Sequence, residues 1–419
     1  ERHVLSARWW LQKAGRTIPQ ATSYEGPEHS NLNRQDDLDN RVVLEWKHYG
    51  DKHRLEARSA YAGKRLDYRL DHRVAGLGDV PAIYSESRTN SFLNTLKLDY
   101  DLSHGFSLEG AADMNYHAVE SRDSVAKTGY EKDRLEISLF FNLRKDLWDR
   151  LSLDLMIRQD ITDGALAPFV PYFGFSWKVI RDKELVVRGN IARNYHQPTL
   201  NDLYWQPGGN PDLLPEKGMS AELGAGHTLK PGKHEIRVSG GVYYSNISDW
   251  IIWLPGFKGY WEPRNIKRVE SRGIELDLSL KASFGRFNCK VSGHYAYTSS
   301  RNYGDPLVWG DEAYGKQLVY IPLHSGNLMV NLAFMGFYAN YRHNAYSERY
   351  TTSSNDITKR DWLYPYFMND LSFGKSFRAG KVGLSAEFRI YNLFDETYHT
   401  VLYRPMPGRN YMLLLMISI

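Results

Sequence analysis

Apolar and polar residues alternate with a period of two along most of the chain. In 106–116 one face is Phe106, Leu108, Gly110, Ala112, Met114 and Tyr116, and the other is Ser107, Glu109, Ala111, Asp113 and Asn115. Residues 134–144 repeat the pattern: Leu135, Ile137, Leu139, Phe141 and Leu143 oppose Arg134, Glu136, Ser138, Asn142 and Arg144, with Phe140 the exception. Leu151, Leu153, Leu155 and Ile157 alternate with Ser152, Asp154, Met156 and Arg158, and Leu276, Leu278 and Leu280 alternate with Glu275, Asp277 and Ser279. A period of two is the signature of strands with unlike faces. A half-buried soluble sheet also alternates, but its strands run to about 5–6 residues, whereas many of these segments run to roughly 10–14 and a tilted strand needs about 9–11 to cross a membrane. The polar face is also persistently charged, as suits a wide, wet lumen.

The pattern predicts eighteen strands, at 3–11, 40–48, 53–62, 91–102, 106–117, 131–145, 149–159, 169–179, 184–193, 218–229, 235–246, 268–283, 287–298, 322–333, 338–343, 362–376, 382–392 and 410–419. Short links fall at 49–52, 103–105, 146–148, 180–183, 230–234, 284–286, 334–337 and 377–381. They alternate without a break with long loops at 12–39, 63–90, 118–130, 160–168, 194–217, 247–267, 299–321, 344–361 and 393–409. Bacterial outer-membrane barrels put short turns in the periplasm and long loops outside. A soluble sandwich has no reason to segregate its loops this way. The expected fold is therefore an all-β, antiparallel transmembrane β-barrel occupying 1–419.

Composition narrows the class. Hydrophobic content is 42% and mean hydropathy −0.52, and no segment approaches the roughly 20 apolar residues of a membrane helix. Aromatic content is 14%, with 29 Tyr and 11 Trp; such amphipathic rings favour membrane–water girdles. One cysteine, Cys289, excludes an intrachain disulfide framework. A net charge of +4 without a basic block argues against nucleic acid. The chain opens on strand-like sequence without a signal peptide, which reads as mature or trimmed.

Several segments carry more than alternation. His196-Gln197-Pro198-Thr199-Leu200-Asn201-Asp202-Leu203-Tyr204 leads into Gly209-Asn210-Pro211-Asp212-Leu213-Leu214-Pro215-Glu216-Lys217. Asn265-Ile266, Val269-Glu270-Ser271-Arg272-Gly273-Ile274-Glu275-Leu276, Gly315-Lys316-Gln317-Leu318 and Ile321-Pro322-Leu323-His324-Ser325 follow. Asn392-Leu393-Phe394-Asp395-Glu396-Thr397-Tyr398 and Pro405-Met406-Pro407-Gly408-Arg409-Asn410-Tyr411 close the series. In this order and spacing they resemble the barrel of TonB-dependent receptors. The Pro-Met-Pro-Gly-Arg turn and Arg16-Thr17-Ile18-Pro19 look most like receptors of the Bacteroidetes, including cobalamin transporters. On residue chemistry alone the motifs shape loops: Pro and Gly at 207–211 and 405–408 set turns, and Arg272-Gly273 marks a bulge or a close backbone approach.

The resemblance implies a 22-stranded barrel filled by an N-terminal plug and driven by the TonB complex. The eighteen strands would be part of such a barrel, with the plug, the TonB-contacting segment and about four strands absent from the start of this sequence. The last strand ends in Ile419 rather than an aromatic residue. The resemblance also implies a bacterial outer-membrane location, contact with outer-membrane lipids and lipopolysaccharide, and a surface-exposed lipoprotein as a partner. The expected cargo is large and scarce: cobalamin or a related corrinoid, with an iron-siderophore or haem as the alternative. A passive porin and a structural or adhesive barrel are the readings from other classes.

The candidate ligand contacts are the loop aromatics Tyr204, Trp205, Trp253, Tyr260, Trp261, Tyr303, Trp309 and Tyr314, whose rings offer large contact area. Loop–loop packing or a girdle is the bland alternative for them, and a girdle is the expectation for Tyr346, Tyr350, Tyr364 and Tyr366. Asp305, Asp311 and Glu312 share a loop but match no calcium spacing, and His227, His234, His324 and His343 show no zinc spacing. Nothing points to a Ser-His-Asp triad. No cofactor, metal site or enzymatic activity is expected.

Overall fold

The computed structural model describes residues 2–18, 32–74, 76–180, 184–255, 260–304, 313–357, 362–380, 382–404 and 406–418. Nearly all of it is strand. In chain order the strands are β1 (His3–Thr17), β2 (Leu32–Tyr49), β3 (His53–Val74), β4 (Gly78–Asp101), β5 (Phe106–Asp123), β6 (Thr128–Leu147), β7 (Leu151–Thr162), β8 (Ala165–Leu166), β9 (Val170–Ile180) and β10 (Glu184–His196). A short helix α1 (Leu200–Tyr204) precedes β11 (Glu216–Leu229), β12 (Glu235–Pro255), β13 (Trp261–Phe284), β14 (Phe287–Asn302), β15 (His324–Phe334), β16 (Phe337–Tyr346) and β17 (Arg349–Tyr350). Then come β18 (Trp362–Leu363), β19 (Tyr366–Ala379), β20 (Val382–Tyr391) and β21 (Asn410–Ser418). Setting aside the two-residue pieces β8, β17 and β18, eighteen long strands remain among the described residues.

Contacts divide the chain into two compact units, the first comprising 1–175, 190–220 and 247–268, the second 176–189, 221–246 and 269–419. In the first, β1 to β7 pair antiparallel in sequence order. In the second, β13, β14, β15, β16, β19, β20 and β21 form an unbroken antiparallel meander.

The burial pattern is inverted relative to a soluble sheet. Glu45 and Glu56 are buried, held by Lys47 at 3.0 Å from Glu45 and by Arg58 at 3.0 Å from Glu45 and 2.7 Å from Glu56. On the opposite face of the same sheet Leu5, Leu44, Phe92 and Leu96 are exposed. Soluble proteins do not present contiguous apolar faces of this extent; a sheet with lipid on one side and charge on the other does.

The strands depart from their expected lengths on one side only. Turn-side ends agree within three residues. Most loop-side ends run further, most of all in β3 and β4, which reach Val74 and Gly78 against an expected loop at 63–90, whereas β15 and β19 begin only at His324 and Tyr366, inside the expected starts at 322 and 362. The expected loops at 12–39, 118–130 and 247–267 shrink likewise. Above the bilayer neither face meets lipid, so outward positions carry charge, as Arg65, Asp67 and Arg69 do, while backbone pairing continues. At Gly273 the β13–β14 register runs without a shift, so of the two alternatives the close approach holds and the bulge does not. A Cβ there would lie 2.3 Å from the Tyr297 carbonyl and 2.5 Å from the Tyr243 ring.

Candidate functional site

The connection after β10 is where sequence motif and side-chain convergence coincide. Thr199 caps α1 in extended conformation (φ −70°, ψ 162°), and its hydroxyl accepts from the Asp202 amide. The Asp202 carboxylate accepts from the Thr199 amide at 2.9 Å and hydroxyl at 2.6 Å. This reciprocal capping box satisfies amides that a short helix would leave bare. The other Asp202 oxygen accepts the indole N–H of Trp253 at 2.9 Å.

Further along, the Asn210 amide bonds the Asp202 carbonyl at 2.8 Å, and its side chain donates to the Pro263 carbonyl at 3.3 Å. Asn265 donates to the Leu214 and Asp249 carbonyls and accepts from the Leu214 amide, all within 2.9 Å. Gly208 (φ +120°) has no room for a Cβ, which would sit 2.1 Å from the Trp261 carbonyl. These motif residues build the loop, as their chemistry suggested.

Five expected aromatics converge on this segment. Tyr204 packs 6.4 Å from Tyr130, with the Lys132 ammonium 4.7 Å over its ring. Trp253 is tied to Asp202, the Tyr260 ring lies beside Gly208, and Trp205 and Trp261 are exposed. Tyr303 and Tyr314 belong instead to the second unit, where they meet edge to face at 5.8 Å. Trp309 lies outside the described residues, as do Asp305, Asp311 and Glu312.

Beside the helix lies a cleft of about 700 Å³ that periodicity did not single out. Its walls carry Asp113, Glu136 and Asp160 against Arg134 and Arg158, with Tyr130, Tyr195 and Asn201 also in the lining. Arg158 donates to Asp160 at 2.8 Å, and the Tyr195 hydroxyl donates to the same carboxylate. Arg134, buried, donates to the Pro198 carbonyl at 3.0 Å. The Tyr130 hydroxyl donates to Asn201, joining cleft to helix. Ser91, near the same wall, pairs with the lining His117 at 2.8 Å. The cations are largely matched by carboxylates and carbonyls, so the cleft presents mixed donors and acceptors rather than a net positive field. The sequence hints were the charged inward faces of β5, β6 and β7 and the His196–Asn201 part of the motif, which lines the same cleft.

In the second unit the remaining motifs are hubs. Gln317 accepts from the Ser300 amide and donates to the Thr298 carbonyl, both at 3.0 Å. Asn392 (φ +52°) accepts from the Glu396 amide at 2.7 Å and donates to its carbonyl at 2.9 Å. Arg349 is buried, donates to the His399 carbonyl at 2.9 Å and lies 4.8 Å over the Tyr366 ring; burial pushes its pKa below the usual guanidinium value. Tyr366 is thereby buried rather than facing lipid, against the girdle expectation.

Comparison with known proteins agrees with this architecture. The family described as TonB dependent receptor-like, beta-barrel, matches residues 5–393. A vitamin B12 transporter, BtuB of Photobacterium profundum, is 25% identical over 357 residues, 82% of this chain and 53% of the relative. The chain thus spans about half the length of the curated relatives it matches. Among solved structures, the siderophore receptor PiuA from Acinetobacter baumannii superposes with a TM-score of 0.75 at 13% identity, over 99% of this chain and 72% of that one. The copper transporter OprC gives 0.70 at 14%, over 97% and 74%. At such identities the structural likeness speaks for the fold alone. Eighteen long antiparallel strands, an apolar outer face and a family match along nearly the whole sequence show that the chain belongs to the TonB-dependent receptors of the bacterial outer membrane, as their β-barrel.

Proposed function

We propose that this barrel belongs to a transporter that carries a corrinoid, cobalamin or a close relative, across the outer membrane at the expense of work delivered through TonB. The observation that carries the reading is the relation to a vitamin B12 transporter along 357 residues. The chemistry of the first unit supports it. Corrinoids are large and carry many neutral amide side chains, which need both donors and acceptors. The cleft supplies both, from Asp113, Glu136, Asp160, Arg158 and Tyr195. The aromatics Tyr204, Trp205, Trp253, Tyr260 and Trp261 supply apolar contact for the macrocycle. Tyr303, Trp309 and Tyr314 are proposed as further contacts.

Ferric siderophores are the second reading: a siderophore receptor shares the fold, though at 13% identity that likeness does not choose the ligand. An anionic ferric chelate calls for unpaired cations, whereas the cleft's Arg158 is matched by Asp160 at 2.8 Å. A plug, the strands that complete a 22-stranded barrel and the segment that meets TonB are proposed to lie outside these 419 residues. A surface lipoprotein lid is proposed as an outer partner.

The test is equilibrium binding of cyanocobalamin and of a ferric catecholate to the full-length receptor. Saturable cyanocobalamin binding with Kd below about 1 μM is expected. Binding of the ferric catecholate and not of cyanocobalamin would overturn the corrinoid reading. Uptake that persists in a strain lacking TonB would return the porin reading.

A further inference from the structure

At the turn-side rim of the first unit, three histidines from three adjacent strands meet on one face. His3 of β1 is the register partner of His48 of β2, with ring centroids 4.5 Å apart. His53 of β3 lies 5.3 Å from His48. Trp46 stacks on His3 at 6.0 Å, and Tyr100 of β4 stacks on His53 at 6.4 Å. Nδ1 of His48 is itself buried and has no hydrogen-bond partner among the described residues, so the nitrogen this ring can offer outward is Nε2.

The face is the outer one. Successive side chains of a strand point to opposite sides, and register partners share a side. His3 therefore shares its face with Leu5, His48 with Leu44, and Tyr100 with Leu96, and all three leucines are exposed. The buried carboxylates Glu45 and Glu56 occupy the other face. Short turns mark the periplasmic side, so the cluster stands at the level of the inner-leaflet head groups.

Directly above it, one pleat repeat along the strands, the same face hollows into a groove of about 830 Å³ lined by Leu5, Ala7, Leu44, Trp46, Ala57 and Leu96. The hollow exists because alanines stand at 7 and 57 where neighbouring positions carry Leu and Trp. The outward lining of the groove is mostly apolar, with the bonded pair Ser59 and Asn94 beside it, and Trp46, which stacks on His3, joins the groove to the histidine cluster.

We propose that this surface is a seat for one phospholipid of the periplasmic leaflet, with its phosphate at His3, His48 and His53 and an acyl chain in the groove above. Imidazole N–H groups donate to phosphate oxygens, and no carboxylate shares the cluster's face over 3–17 of β1, 40–48 of β2 or 53–65 of β3. Arg2 and Lys52 stand at the same turn, but Arg2 lies 3.5 Å from Asp51 and the Asp101 amide bonds the Lys52 carbonyl, so the cations there are matched by carboxylates and recognition of the phosphate falls to the imidazole N–H groups. A soluble occupant is excluded by the depth of the groove in the lipid-facing surface, and lipopolysaccharide belongs to the opposite leaflet. The seat is independent of which cargo the receptor carries.

The experiment reconstitutes the full-length receptor in vesicles of phosphatidylglycerol mixed equally with digalactosyldiacylglycerol, a phosphate-free lipid. Lipids retained on the extracted protein are counted by native mass spectrometry, with no transport ligand present. Preferential retention of phosphatidylglycerol is expected. The triple variant H3F/H48F/H53F, which keeps a ring but removes every N–H donor, should lower that preference at least about tenfold, as the loss of hydrogen bonds to a charged group implies. The variant A57F, which fills the groove and leaves the histidines intact, should lower retention of both lipids. H104Q, at a different turn, should change neither. If the triple variant does not fold, as judged by its electrophoretic mobility before heating, H48F alone is read in its place. Equal retention of the two lipids by the parent protein, or a preference unchanged by the histidine substitutions, overturns the proposal.

Discussion

The β3–β4 hairpin is built in two ways along its length. Near the turn, outward Leu55, Ala57, Leu96 and Leu98 alternate with inward Glu56, Arg58, Lys97 and Asp99. Beyond Gly63 and Asn90 the same ladder continues for about a dozen residues on each strand, but in β3 the alternation reverses its phase: the outward positions now carry Arg65, Asp67 and Arg69, and Leu66, Tyr68 and Leu70 stand on the other face. There Arg65 pairs with Asp67 at 3.0 Å and Glu86 at 3.5 Å, Arg69 with Asp71 at 2.9 Å, and Arg73 with Asp79 at 2.9 Å. The backbone pairing carries on from one half to the other; the solvent changes. One half must hide its carboxylates from lipid, and the other keeps both faces wet. Strand geometry is thus set by pairing, and the side-chain pattern records only what surrounds it.

The comparison breaks most easily at Leu96. Leu96→Arg places a charge on the lipid face and should destabilise the barrel by about 2–4 kcal/mol, read as a lower urea midpoint in vesicles. The same change at Val80, on the same strand but in the wet half, should stay within about 0.5 kcal/mol. Equal effects at the two positions would mean that the hairpin does not cross a bilayer boundary.

Crowding of the backbone should ignore that boundary. Gly273→Ala puts a methyl 2.3 Å from the Tyr297 carbonyl and should cost about 1–3 kcal/mol, measured by the same unfolding curve. Smaller still is the loop helix. Asp202→Ala removes the capping acceptor and the partner of Trp253. It should loosen α1 by about 0.5–2 kcal/mol, seen as faster amide exchange at 200–204 with the unfolding midpoint of the barrel unchanged, and should weaken cyanocobalamin binding. Smallest of all, the double variant R65A/R73A should leave the midpoint where it was at physiological salt, because exposed ion pairs are screened and contribute little. A clear loss there would assign the upper ladder a stability that its exposed side chains do not suggest.

The strand count was legible because lipid imposes alternation, and each crossing carried enough residues to show it. The turn-side ends were legible for the same reason: Gly50-Asp51-Lys52 and Ser103-His104-Gly105 interrupt the pattern abruptly. The loop-side ends were not. In 65–74 charged and apolar residues still alternate, but with the phase of the membrane-crossing part reversed, and 78–90 alternates only weakly, so neither segment continues the crossing pattern and both read as loop. Among the site residues, Trp253 and Tyr204 could be chosen by type, but what joins them is Asp202, a residue whose role depends on a five-residue helix. The cleft residues Asp160 and Tyr195 belong to β7 and β10, 35 positions apart, and no spacing rule connects them.

By itself the sequence determined the class of fold, the crossing strands and the side each loop belongs to, since all of these follow from a period of two and from where that period stops. Only the tertiary structure decided how far the strands run above the membrane, which aromatics share a loop, and that His3, His48 and His53 form one cluster beneath a groove. Those outcomes depend on register between strands. The pattern and the turn narrow register within one hairpin, but how far a ladder runs past the bilayer and which hairpins and loops meet is decided by contacts across the sheet that no single strand records.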